Sequence, residues 1–194
     1  HKMNNKIKIL VLMGGKSSEY EVSLLSGNEV IKNLNKSKYD ISSIAISKEG
    51  KGLDKLNKLK ADIVFIAMHG PYGEDGTIQG MLELSGIQYT GSGVLASAIG
   101  MDKIMFRKLM QAEGIPVPKY LIFKKGNKQT VSFPCFIKPY DQGSSIGASI
   151  ARNKGEFKKS LQNAFQYSNK ILVDEYISGV EVTCVVLGND NPVA

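Results

Sequence analysis

"KIKILVLMGGKSSEYEVS", residues 6–23, runs aliphatic from Ile9 to Met13 and then gives way to glycine, serine and glutamate. From Ile9 to Met13 every position is apolar. A strand with one wet face alternates, so this run predicts a strand (6–13) buried on both faces, as in a parallel sheet. Downstream, Leu24, Gly27, Ile31 and Leu34 recur at helical spacing. YDISSIAI (39–46) and DIVFIAMH (62–69) read as two further strands. Ile78, Met81, Leu82 and Leu84 predict a helix stopped by Gly86, and IQYTG (87–91) a short fourth strand. Strands alternating with helices argue an open α/β layer with right-handed crossovers. A helix through Met101, Ile104, Met105, Leu109 and Ala112 follows, ended by Gly114 and by Pro116 and Pro118.

Past residue 118 the texture changes. FPCFIKP (133–139), SIGASI (145–150), KILVDEY (170–176) and EVTCVVL (181–187) are closely spaced strand candidates. Only one helical pattern, Phe157, Leu161, Ala164 and Phe165, falls among them. That is an α+β pattern rich in antiparallel strands. The predicted division is an α/β unit over 3–94, a connecting helix and linker over 95–118, and a second unit over 119–194 whose sheet is still being built where the chain stops.

Composition bounds the function. The chain has 194 residues, 42% hydrophobic and 22% charged, as in soluble globular proteins. The net charge of +7 rests on 23 lysines against 2 arginines. The lysines, among them Lys32, Lys36, Lys38, Lys55, Lys58 and Lys60, are scattered over predicted helix faces and turns. No arginine cluster or aromatic platform accompanies them, so a solvated surface is expected and no nucleic-acid partner. No apolar run approaches the roughly 20 residues needed to cross a bilayer, and no signal peptide precedes the first strand, so no membrane partner and a cytoplasmic location are expected. His1 and Lys2 precede Met3 and read as remnants of expression, which leaves His69 as the only native histidine. Cys135 and Cys184 both lie in apolar strand-like runs and are expected to be buried, reduced thiols.

Four segments could carry chemistry. MGGKSSEYEVS (13–23) leaves a strand for a helix. Its glycines let backbone come close to a ligand and Glu19 suits an ammonium, or else Ser17 or Ser18 is simply a helix cap. MHGPYGEDGTIQG (68–80) holds a glycine-rich loop in which His69 either meets a ligand or braces the loop, and Glu74 and Asp75 can serve as first-turn helix residues. KPYDQGSSIG (138–147) places Lys138 before Gly143, Ser144, Ser145 and Gly147, a point charge followed by amide and hydroxyl donors, which favours an anion over a plain hairpin turn. LVDEYISGVE (172–181) ends an apolar strand in carboxylates, with backbone that can face a flat heterocycle, or is an exposed strand end and turn.

Taken together, GGKSSEYEVS, HGPYGEDGTIQG, GSGVLASAIGMDK, FIKP with GSSIG, and EYISGVEVT resemble the D-alanine–D-alanine ligases of the ATP-grasp superfamily, in that family's order and from about Lys6 to Val193. The resemblance implies an open parallel-sheet, Rossmann-like pre-ATP-grasp domain followed by an incomplete α+β ATP-grasp domain. It implies ATP-dependent joining of two D-alanines through an acyl phosphate, for peptidoglycan precursors. Glu19 matches the glutamate holding the first D-alanine's ammonium, with His69 beside it and Ser144 orienting the reacting carboxylate, so Glu19 and Ser144 are the expected catalytic pair. Lys103, Lys138 and Ser145 match phosphate contacts. Asp174, Glu175 and Ile177 match the hinge around adenine, and Glu181 the ribose carboxylate. Asp174 departs from the family's usual glutamate by one methylene. Magnesium is implied, with ligands expected beyond residue 194, as is the arginine that stabilises the transferred phosphate. The 194-residue chain alone is therefore expected to be inactive, and no metal ligand is assigned within it. A homodimer is the candidate assembly. The alternatives are a D-alanine–D-lactate ligase, another ATP-grasp carboxylate–amine ligase, or a truncated, non-catalytic nucleotide-binding module.

Overall fold

A computed structural model describes residues 6–58 and 60–194, with the side chains of 57 and 58 left aside. The reading of His1, Lys2 and Met3, and the first residues of the predicted 3–94 unit, lie outside the described residues. Strand β1 (Ile7–Gly14) is buried from Ile9 onward. It sits centrally in a four-stranded sheet of order β2-β1-β3-β4, with β2 (Tyr39–Ile46), β3 (Ile63–Ile66) and β4 (Gln88–Tyr89) all parallel to their neighbours. One face packs Leu10, Leu12, Ile44, Ile46 and Val64 against α2 (Thr77–Leu84) through Ile78 and Leu82. The other packs Val11 and Met13 against α1 (Tyr20–Asn33) through Leu24 and Ile31. A Cβ at Gly27 would come 2.6 Å from Met13 Sδ, so that glycine is what lets α1 lie close on the sheet.

The predicted single helix around Met101 is two. α3 (Val94–Met101) ends at Asp102, whose extended backbone (ψ 93°) turns the chain into α4 (Lys103–Ala112). Asp102 accepts from the amides of Ile104 and Met105, so the acid that periodicity assigns to a helix interior is instead an N-cap.

The second sheet is antiparallel, of order β5-β8-β6-β7, from β5 (Tyr120–Phe123), β6 (Cys135–Pro139), β7 (Ser149–Ala151) and β8 (Ile171–Glu175). β5 has no counterpart among the strands predicted from sequence, because YLIF is short and follows a proline-punctuated linker. Cys135, Ile137, Ile171 and Val173 point to one face, packed by Ala164, Leu161 and Phe157 of α5 (Lys154–Ala164). Burial pushes the Cys135 thiol up from its ordinary value. Alternation puts Phe136, Lys138 and Asp174 on the opposite face.

EVTCVVL is not a strand. Beyond β8 only an isolated bridge, Leu187 with Val193, is formed, and Val182, Val185 and Val186 are exposed. Apolar, β-branched residues make a strand only when a neighbour's backbone pairs with them, and among the described residues only Val193 does so, with Leu187. Cys184, expected to be buried, is therefore exposed.

Because Asp102 both stops α3 and starts α4, Asp102→Ala should destabilise the protein by about 1 kcal/mol. Denaturant unfolding of the two proteins checks this, with an unchanged m-value expected.

Candidate functional site

The carboxyl ends of β1 and β3 point their loops at the second sheet, where an open parallel sheet ordinarily binds ligand. Ser23, which the sequence patterns did not single out, ties these ends together. Its hydroxyl donates to Ala67 O and accepts from Gly14 N, each at 2.7 Å. Only its place four residues after Glu19 on a helix facing the sheet hints at this. Ser17 is not the helix cap. Glu19 occupies the N-cap position without a side-chain cap bond, and Ser17 Oγ instead donates to His69 O at 2.7 Å while accepting from Glu19 N at 3.2 Å.

Glu19 thus stands between two loops. It is 5% exposed. Gly70, at φ +69°, leaves space that a Cβ would take from Glu19 Oε2. His69 is braced through both ring nitrogens, with Nε2 2.8 Å from Ser26 Oγ and Nδ1 3.6 Å from Glu74 Oε1. Glu74 and Asp75 precede α2 rather than open it. Glu74 accepts from Gly70 N at 2.8 Å, and Asp75 accepts from Tyr72 N and Thr77 N.

The 142–147 loop reaches across from the second sheet. Ser144 Oγ donates to Glu19 Oε1, 125 residues away in sequence. Ser144 and Ser145 hold left-handed backbone at φ 46° and 58°, a conformation costly for any side chain bearing a Cβ. Glu19 Oε2 remains buried with no hydrogen-bond partner among the described residues. A buried carboxylate oxygen lacking a donor is expensive unless a ligand supplies one.

A cleft of about 500 Å³ opens beside these groups, lined in part by His69, Glu74, Thr90, Ser97, Lys103 and Gly143. Lys103, the first residue of α4, donates from Nζ to Gln142 O, and its backbone N–H reaches Tyr140 O at 3.0 Å. Burial drives its ammonium below the ordinary lysine value, and repulsion from Lys138 and Arg107 adds to this, against the pull of Asp141 and Asp102. Lys138 Nζ lies 2.9 Å from Asp174 Oδ2. Asp174 is also gripped by both terminal nitrogens of Arg107, so two cations share this one buried carboxylate. Sequence pattern does not single out Arg107, since its helical spacing places it among solvated residues until the partner strand is known.

Glu19, His69 and Ser144 are therefore brought together, as are Lys103, Lys138 and Asp174. Glu175 spends its side chain on Lys119 N at 2.8 Å. Ile177 and Glu181 lie exposed beyond β8, outside the cleft's lining. Among the described residues no three His, Cys, Asp or Glu side chains are grouped to hold a metal ion. No helix there is long and apolar enough to cross a membrane.

Comparison with known proteins gives a consistent picture. Residues 8–58 and 51–92 match the family described as D-ala D-ala ligase N-terminus, and 109–194 match D-ala D-ala ligase C-terminus. A D-alanine--D-alanine ligase of Acetivibrio thermocellus is 38% identical over 99% of this chain and 68% of its own length. The solved VanG D-Ala:D-Ser ligase of Enterococcus faecalis superposes with a TM-score of 0.82 at 35% identity, covering 97% of this chain and 68% of that one. The D-alanine--D-alanine ligase of Bacillus anthracis complexed with ATP superposes at 0.78 with 38% identity, over 89% of this chain and 60% of that one. The chain thus spans about two thirds of the length of such relatives. With the parallel sheet, the antiparallel sheet and the loop that joins them over Glu19, these matches establish that the chain belongs to the D-alanine–D-alanine ligase family.

Proposed function

We propose that this chain supplies the first D-alanine site and much of the nucleotide site of an ATP-dependent D-alanine–D-alanine ligase. The observation that carries the reading is the unpartnered Glu19 Oε2, buried under a loop from the second sheet. An ammonium fills that vacancy as donor and counter-charge at once. His69, braced by Ser26 and Glu74, forms the wall beside it. Ser144, already turned to Glu19, is suited to orient the amino acid's own carboxylate. The cation corner of Lys103 and Lys138 suits phosphate, with Ser145 and the amides of the 143–147 loop as further donors. The backbone of Glu175 to Ile177 is assigned to adenine and Glu181 to ribose. These last assignments rest on the sequence match.

In such a site ATP activates a carboxylate, which is otherwise a poor electrophile, by phosphorylating it, and the amine of a second D-alanine displaces phosphate. This chain's residues hold the ammonium, neutralise phosphate charge and cover the site against water. Magnesium belongs to the proposed reaction, but the described residues do not fit it, so no role here is routed through it. A neighbour that takes D-serine favours a second reading, a ligase with a different second substrate. The boundary region over 95–118, a cytoplasmic setting and a homodimer belong to the same proposal, the last supported by exposed Leu95, Phe106 and Leu109 on α3 and α4.

Glu19→Gln keeps the shape and removes the charge. In the full-length protein it should weaken the first D-alanine by about 1.5–3 kcal/mol while leaving ATP affinity nearly intact. Steady-state kinetics at saturating ATP checks this, and unchanged D-alanine kinetics would remove Glu19 from the site.

A lowered Lys103 value has a sign that can be tested. Its ammonium loses charge as pH rises through a window below the ordinary lysine value of 10.5. ATP affinity should therefore fall on alkaline titration before ordinary lysines deprotonate. In Lys103→Arg, which stays charged throughout, that fall should be absent. Calorimetric titration across the alkaline range reads both slopes.

A further inference from the structure

The face of the second sheet opposite α5 carries a contact that ligand binding alone does not explain. Register sets Tyr120, Asp174 and Phe136 side by side across β5, β8 and β6. Arg107 comes down on this row from α4, donating one terminal nitrogen to each oxygen of Asp174, with the Nη2–Oδ2 contact at 2.7 Å. Its guanidinium carbon lies 5.0 Å from the centre of the Tyr120 ring. Arg107 is 7% and Asp174 5% exposed. Lys138 Nζ touches the same Oδ2 and stands 5.4 Å over the Phe136 ring. One buried carboxylate is thus shared by a bidentate fork and a single ammonium, and the fork holds it more rigidly.

We propose that Arg107 is a positioning residue for Lys138. By sharing the Asp174 carboxylate it fixes where the Lys138 ammonium stands and leaves part of that ammonium's charge to face a phosphate. This rests on the nucleotide reading of the site. Without Arg107 the full charge of Asp174 falls on Lys138 and draws it away from an anion. The same fork keeps Asp174 from turning toward the amino group of a base, since that would abandon a buried arginine. Reading the base's edge then falls to the backbone after β8.

The test is calorimetric binding of ATP and of adenosine to the full-length protein and its variants. Arg107→Met keeps the buried stem and should weaken ATP about tenfold or more, while adenosine changes less than about threefold. Arg107→Lys, which keeps the charge but not the fork, should fall between. Adding Asp174→Asn to Arg107→Met removes the carboxylate that captures Lys138, and should return ATP to within about threefold of the wild type. Equal loss for ATP and adenosine would mean that Arg107 only supports the fold, and would overturn the proposal. So would unchanged ATP binding, or a double variant no better than the single. If Arg107→Met does not fold, Arg107→Lys and the double variant decide by the same criteria. A wild type that binds neither ligand overturns the nucleotide reading and the positioning role with it, whereas a wild type that binds both isolates any failure to Arg107.

Discussion

A serine hydroxyl donated across 125 residues to a buried glutamate is the contact on which the site depends. Glu19 belongs to the parallel sheet, held at the foot of α1 by Ser17 and the loop after β3. Ser144 belongs to a strained loop of the antiparallel sheet. The parallel sheet offers an open edge, as such sheets do, and the loop provides its cover. The left-handed serines are held by the surrounding turn, with Ile146 N bonded to Gly143 O and Ala148 N to Ser145 O. Strain held in this way is characteristic of a segment placed for function rather than for packing.

Electrostatics divide the same site in two. At Glu19 a buried negative charge is short of one donor. At the other end Lys138 and Arg107 share the buried carboxylate of Asp174, and Lys103 stands close by under the pull of Asp141 and Asp102. An ammonium at Glu19 and phosphates beside the lysines would complement the two ends.

Much of this was legible in the sequence, for reasons that can be named. The apolar run of β1 reports burial on both faces directly, and the helical spacing of α1 and α2 reports their packed sides. Glu19, His69 and Ser144 stood in recognisable stretches, and the fold brings them together. What was not legible depended on partners. Asp102 looks like a helix interior until its side chain is seen to cap. Val182 to Leu187 look like a strand, yet strand formation is a property of pairs, and no described segment pairs with them there beyond Leu187. Arg107 and Asp174 are 67 residues apart, and their meeting depends on α4 coming down on the face of β8 that carries Asp174, which a single sequence does not encode locally.

The central claim is that Glu19 awaits an ammonium. Titrating the protein with D-alanine and separately with D-lactate tests it most directly, because the two differ in whether an ammonium or a hydroxyl stands beside the carboxylate. The account predicts that D-alanine binds and that D-lactate binds at least about tenfold more weakly, the order expected for losing one charge-assisted contact at a buried carboxylate. Equal affinities would contradict it, since the open valence of Glu19 Oε2 would then have no part in recognition.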